Sequence, residues 1–282
     1  MNKNTKNSCI NDFDPSALDE VTAVKQILKS IAKIKESETI NIMDSLGRVS
    51  SKNIKSSIDI PSFRNSAMDG YAVNIKNLEK NEYTLVEQGI SLAGQPYIKK
   101  LKNQGTVRVM TGAVIPDNSD AVIMKEMTDL KDNMISFPKL MQKNQNIRNI
   151  GEDIKKGATV IKKGRQINYV DLGILSSLGI AKIDVVRKPV VSFFSTGDEL
   201  VSINKKLKKG QIYDSNRYLL FGLLNELPVQ IKDMGVVKDD ERILVKKLQE
   251  CSKISDIVIT TGGVSVGAVS YTHLTLPTKR IV

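Results

Sequence analysis

The groups in this chain that can do chemistry are carboxylates, hydroxyls, lysines and glycine turns. Histidine occurs once, at His273, and cysteine twice, at Cys9 and Cys251, far apart in the sequence. That stock builds no zinc cluster, no disulfide framework and no Ser-His pair. Hard oxygen ligands suit Mg²⁺ and phosphate instead. The first candidate is Asp69, in a loop running from Pro61 to Val73 that has neither helical nor strand period. Its Asn, Ser, Asp and Gly residues build turns and let backbone approach a ligand closely. A long surface turn explains the same residues equally well. Thr111 follows an apolar run and precedes Gly112. Its hydroxyl faces either a ligand or nothing but a strand-ending turn.

Two further loops follow apolar runs nearer the C-terminus. One is Ser195-Thr196-Gly197-Asp198-Glu199; the other is Thr261-Gly262-Gly263-Val264-Ser265-Val266-Gly267. A Thr-Gly-Gly turn lets successive N–H groups converge on an anion. Asp198, Glu199, Asp214 and Asp239 are the carboxylates that would gather around it and hold Mg²⁺ against phosphate.

These loops need elements to position them. Leu18, Val21, Val24, Ile27, Leu28, Ile31 and Ile34 recur at helical spacing, with Ser16 and Asp19 as a capping box. Asp44 is placed as the cap of a brief helix through Leu46 to Val49. From 56 to 157 short β-like runs alternate with turn clusters, at 83–88, 106–110, 121–126 and 134–137. A helix is expected over 168–178, closed by Gly179. From Pro189 the pattern becomes strand, helix, strand, helix, strand: 190–194, a helix from Ser215, 229–231, a helix capped by Asp239, and 256–260. That order predicts a doubly wound sheet, whose ligands bind beyond the carboxyl ends of its strands.

Composition bounds the class. The hydrophobic fraction is 40%, with 42 basic and 31 acidic residues giving a net charge of +11. No apolar run approaches the ~20 residues that span a bilayer, and the polar N-terminus has no signal core, so a soluble, cytoplasmic protein without membrane partners is expected. The charge suits an anionic small molecule. Scattered lysines without interleaved aromatics argue against nucleic acid.

The loop from Pro61 to Val73 resembles the signature of the molybdopterin molybdenumtransferases, the MoeA and gephyrin family. Further similar stretches follow in order: 93–96, 108–113, Asn146-Ile147-Arg148 with Gly151-Glu152-Asp153, 194–200, 210–217 and 261–267. The resemblance implies an α/β fold with a β-rich insertion, a three-layer doubly wound molybdopterin-binding domain and an extended N-terminal region. The boundaries would be a disordered 1–14, a linking region of 15–55 and 158–188, an insertion of 56–157 and an α/β domain of 189–267.

The implied reaction transfers molybdenum from molybdate to adenylylated molybdopterin, with Mg²⁺-dependent release of AMP. The implied assembly is a homodimer, with the molybdopterin adenylyltransferase and molybdoenzyme chaperones as further partners. Carried over by motif, the catalytic positions are Asp69, Thr111, Asp153, Glu199 and Asp239. Ser195, Thr196, Gly197, Asp214, Thr261, Gly262, Gly263, Ser265 and Gly267 hold the pterin ligand, and Asp198, Glu199 and Asp239 hold the cation. For Arg148, Glu152 and Asp153, spacing alone suggests a salt bridge.

Similarity stops after Gly267, where the family continues into Asp-Tyr-Thr; Ser270 stands where the Asp is expected. Residues 268–282 are therefore expected to be a foreign ending on an incomplete α/β domain. Reading the source transcript past Gly267 tests this: the same ending in a full-length transcript would overturn it. Two alternatives accompany the transferase. One is a non-catalytic pterin-binding or scaffold relative. The other is a molybdopterin adenylyltransferase, which has no use for the insertion.

Overall fold

The structure is a computed structural model, and it describes residues 18–262. The chain divides into two compact units, one made of residues 40–183 and the other of the segments on either side.

In residues 40–183, strands β2 (Gly70–Val73), β3 (Thr84–Ser91), β4 (Gly105–Val109), β5 (Ala121–Met124), β6 (Asp129–Lys131) and β7 (Met134–Ser136) form one mixed sheet, ordered β5-β2-β4-β3-β7-β6. (β1 is Ser37–Asn41.) Successive side chains of a strand alternate between faces, and β2 shows it. Tyr71 and Val73 join Leu78, Leu85, Ala121, Ile123, Ile135 and Phe137 on one face. Ala72 joins Leu101, Val107, Val109, Ile115, Val122 and Ile147 on the other. Tyr71 meets Phe137 edge to face, with ring centroids 6.1 Å apart.

The sheet delivers the candidate residues at strand ends. Asp69 immediately precedes β2, and Thr111 follows β4. The expected insertion strands are present within three residues of their predicted ends. The helix expected over Leu46–Val49 is not. A 3₁₀ turn occupies Ile42–Asp44, and Gly47 then takes a left-handed conformation with φ +76°. Val49 bridges Gln166 instead.

Helix α3 (Tyr169–Ser177; α1 is Glu20–Ser30 and α2 Ile75–Lys80) is fixed by a full capping box. The Asn168 side-chain carbonyl accepts from the N–H groups of Val170 and Asp171, and the Asn168 N–H donates to the Asp171 carboxylate. The next glycine, Gly179, has φ +68° as expected of a left-handed cap. Gly173 sits inside α3, and a Cβ added there would meet nothing within 4 Å. Gly173→Ala is therefore expected to stabilise this unit by about 0.5–1 kcal/mol, read as a higher urea midpoint.

In the other unit, β9 (Val190–Thr196; β8 is Lys182–Val186, paired with β1) lies between β10 (Gln230–Val237) and β11 (Ile257–Thr261), all parallel. Val191 and Phe193 pack on Leu220 and Leu224 of α4 (Ser215–Asn225). Phe194 packs on Leu244, Leu248 and Cys251 of α5 (Glu241–Ile254). Alternate residues of β9 thus face different helices, which gives the expected three layers. The chain leaves β9 for β10 on one side and returns to β11 on the other. The strand order therefore reverses at β9, which is where such sheets place ligands.

Asp240, not Asp239, caps α5, accepting from Ile243 N–H at 3.0 Å. The cap must stand three residues before that donor, and in an Asp-Asp doublet the sequence leaves the register open. Asp19 itself caps α1, accepting from Thr22 N–H; Ser16 lies outside the described residues. Ile34 falls beyond the end of α1. The apolar stripe of α1 is present, but none of its residues is buried among the described residues.

A forked ion pair ties the start of β9 to the start of β11. Arg187 donates to both oxygens of Asp256 at 2.7 and 2.8 Å, and Val190 N–H donates to the same carboxylate at 2.8 Å. The Arg187 bonds, followed by that of Val190, hold the Asp256 carboxyl below its usual range. Because the folded pKa lies below the unfolded one, the stabilisation is present above about pH 4 and is lost as pH falls through the folded value. Asp256→Asn is expected to cost about 1–2 kcal/mol at pH 7. Its difference from the parent should vanish in urea titrations run in strong acid.

Candidate functional site

The candidate residues fall into two groups, one in each unit. In residues 40–183, Asp69 and Thr111 are brought together. One carboxylate oxygen, Asp69 Oδ1, accepts both the N–H and the hydroxyl of Thr111, each at 2.7 Å. The pair is positioned by strand register. Gly70 pairs with Val109 on one side and Met124 on the other, and Lys125 N–H continues the ladder onto the Asp69 carbonyl at 3.1 Å. The two bonds from Thr111, with Arg108 and Lys125 at longer range, hold the Asp69 carboxyl below its usual range. Thr111 is exposed and Asp69 open enough for a ligand to reach it. The arrangement is an ionised carboxylate, oriented by a threonine and accessible from solvent.

Asp153 sits in a different arrangement. Its carboxylate accepts from Arg148, which also pairs with Glu152 at 3.5 Å. The salt bridge suggested by spacing is therefore formed, and all three side chains keep substantial exposure.

In the other unit, the carboxyl ends of β9 and β11 lie side by side. The Thr261 hydroxyl bonds to that of Ser195 at 2.8 Å. Gly262, with φ +93°, presses on β9: a Cβ there would stand 2.5 Å from the Thr196 carbonyl oxygen and 2.9 Å from its hydroxyl. The Glu199 side chain folds back over Gly197, where an added Cβ would lie 2.6 Å from Oε2. Asp239 N–H approaches Asp198 Oδ1 at 3.4 Å, so the two acidic loops adjoin. Gly263, Ser265 and Gly267 lie outside the described residues.

Among the described residues, three buried side-chain oxygens find no hydrogen-bond partner: Ser192 Oγ, within β9, and the Thr196 hydroxyl and Asp214 Oδ2 at this end of the sheet, where Thr196 is only 5% exposed and Asp214 only 2%. Asp214 Oδ1 caps α4 by accepting from Arg217 N–H at 3.1 Å, which leaves Oδ2 over. Buried polar atoms are normally paired, and an orphaned one costs about 1–3 kcal/mol. Such atoms suit a ligand that supplies the missing donors. Among the described residues no group of three or more His, Cys, Asp or Glu is assembled to hold a metal ion. Mg²⁺ asks for less, since one or two carboxylates plus ligand phosphates suffice. Asp198, Glu199 and Asp239, at neighbouring strand ends, fit that requirement.

Sequence reading passed over Arg108 and Lys125. They stand beside Asp69 through strand pairing, which leaves no trace in the order of residues along the chain.

Comparison with known proteins covers both groups. Residues 19–179 match the family model described as MoeA N-terminal region (domain I and II). Residues 192–278 match the model described as probable molybdopterin binding domain. A molybdopterin molybdenumtransferase of Haemophilus influenzae is 42% identical over 255 residues, which span 90% of this chain and 63% of that protein. Gephyrin of Dictyostelium discoideum is 35% identical over 90% of this chain and 39% of its own length. A crystal structure of a molybdopterin biosynthesis MoeA protein from Pyrococcus horikoshii superposes with a TM-score of 0.78 at 32% identity, over 86% of this chain and 65% of that one.

Proposed function

The chain belongs to the MoeA family, and from that premise we propose that it acts in molybdenum cofactor biosynthesis, transferring molybdenum from molybdate to adenylylated molybdopterin with release of AMP. The chain spans less than two thirds of the length of the Haemophilus relative, so the reaction is assigned to the residues present. The observation that carries it is the strand-reversal end of the parallel sheet. Two glycine turns, two acidic loops and two orphaned buried polar atoms meet there, within the segment that matches a molybdopterin-binding domain.

In this reading the turns after β9 and β11 hold the phosphate link through backbone N–H groups. The Asp214 carboxylate accepts from a ligand N–H, and the Thr196 hydroxyl bonds to the same ligand. Asp198, Glu199 and Asp239 hold Mg²⁺, which when bound neutralises charge on the phosphates. Asp69 and Thr111, with Asp153, supply fixed polar groups for the reacting oxyanion. The protein works as a homodimer in the cytoplasm. The exposed apolar stripe of α1, with Val21, Val24, Ile27 and Leu28 each at least 43% exposed, supports a second copy as its cover. Sedimentation of the purified chain as a monomer would remove the dimer.

AMP release from adenylylated molybdopterin, followed by chromatography with and without molybdate, tests the reaction. Molybdate-dependent release is expected. Release of pyrophosphate from ATP and unmodified molybdopterin would point to the adenylyltransferase instead. Tight pterin binding without either reaction would point to a non-catalytic relative.

A further inference from the structure

We propose that Arg108 and Lys125 form an oxyanion-binding pair beside Asp69, gripping a tetrahedral dianion such as a phosphoryl group at the end of the six-stranded sheet.

Register places them. Tyr71 of β2 lies directly opposite Arg108 on one neighbour and Ile123 on the other. Asp69 immediately precedes β2, and Lys125 immediately follows β5 at the start of a 3₁₀ turn, where its N–H donates to the Asp69 carbonyl at 3.1 Å. Both cations thus stand at the same end of the sheet as Asp69. Among the described residues neither cationic side chain makes a hydrogen bond or ion pair, although both act on Asp69 at longer range. The nearest carboxylate is already engaged, because Thr111 fills Asp69 Oδ1 with two donors.

The local balance is two positive charges against one negative. Arg108 is half-buried and Lys125 exposed, so a ligand can reach both. Arg offers a planar fork and Lys a mobile point charge, the combination that suits phosphate oxygens. Surface ion pairing would explain the cations only if they touched a carboxylate, and among the described residues they do not. Asp69 then has a second effect: its charge weakens the grip on a dianion and keeps binding reversible.

This inference deepens the proposed function by giving residues 40–183 an anion contact. It rests on that function only for the identity of the ligand.

Titration of the full chain with inorganic phosphate at low ionic strength, read by calorimetry, tests it without any turnover. Arg108→Gln and Lys125→Gln are each expected to weaken binding about tenfold. Lys131→Gln, an exposed cation on β6, should leave it unchanged. Asp69→Asn should tighten it. Equal affinity in Lys125→Gln and the parent would overturn the proposal even if Arg108→Gln fails to fold, and so would an equal loss in Lys131→Gln. Repeating the titration with AMP and with molybdate separates the sources. Competition by AMP assigns the pair to a phosphate ester, and competition by molybdate alone assigns it to the metal oxyanion. Failure of AMP release with phosphate binding intact would count against the proposed reaction and leave the anion site standing.

Discussion

Gly70→Ala is expected to abolish the stability of the unit formed by residues 40–183, costing about 3–5 kcal/mol. A Cβ at position 70 would lie 2.0 Å from the Ile123 carbonyl oxygen, 2.8 Å from its carbon and 3.0 Å from the Met124 Cα. All three are backbone atoms, so no side chain can swing aside. Nor can β2 retreat, because it is paired with β5 on one side and β4 on the other. Moving away from Ile123 breaks one ladder, and moving toward Val109 crowds the second. The expected readout is an early first transition in urea followed by far-ultraviolet circular dichroism, with loss of amide protection at Tyr71 and Ala72. Parent-like protection of those two amides would show that the close approach is relieved more cheaply than the backbone suggests. Asp69 and Thr111 ride on the same strand ends, so this substitution should also separate them.

Much of the fold was legible because its elements carry local signals. Asn168 and Asp171 announce α3, and Gly179 ends it. Tyr71, Ala72 and Val73 are apolar without a break, as suits a strand buried on both faces. The runs read at 190–194 and 256–260 are separated by helices, which is enough to forecast a parallel sheet. The failures have physical causes. Leu46–Val49 looked helical because Asp44 is a good cap, but left-handed Gly47 and the Val49–Gln166 bridge outweigh four residues of weak propensity. The α5 cap slipped by one residue because Asp239 and Asp240 offer the same side chain.

The site was legible unevenly. Residue type and strand order point to the two glycine turns, whereas Asp69 and Thr111 stand out from ordinary turns only through the family resemblance. The separation of these groups into two units does not follow from residue type or strand order, since 42 residues of sequence distance between Asp69 and Thr111 give no sign that these two meet while Glu199 belongs elsewhere. Asp153 shows the converse. Its neighbour Arg148 was visible in the sequence, and the pair forms, yet nothing in spacing alone distinguishes a structural salt bridge from a reactive carboxylate. Arg108 and Lys125 became visible only through register.

Asp69→Ala is expected to reduce molybdate-dependent AMP release by about 10²–10³-fold, with the fold intact. The carboxylate contributes to no core cluster, so its removal empties no cavity. Its loss leaves the Thr111 N–H and hydroxyl to solvent, which satisfies both at little cost. A group held by two donors at 2.7 Å is fixed before the ligand arrives, and fixed charge is what lowers a barrier. The effect should fall on kcat more than on KM, because the ligand's grip is assigned to other residues. Asp69→Asn separates charge from shape: if the negative charge matters, it fails as badly as alanine. The Thr111 bonds, aided by Arg108 and Lys125, keep the carboxyl ionised below the usual carboxylate range, so protonation of Asp69 should not limit activity until pH drops under about 4. An unchanged kcat in Asp69→Ala, with unchanged circular dichroism, would sink the catalytic assignment of this loop. Thr111→Val then gives the companion measurement. It removes the hydroxyl but keeps the backbone donor, so a smaller loss is expected, with the acid limb of the pH profile shifted upward as the Asp69 pKa rises toward its ordinary value.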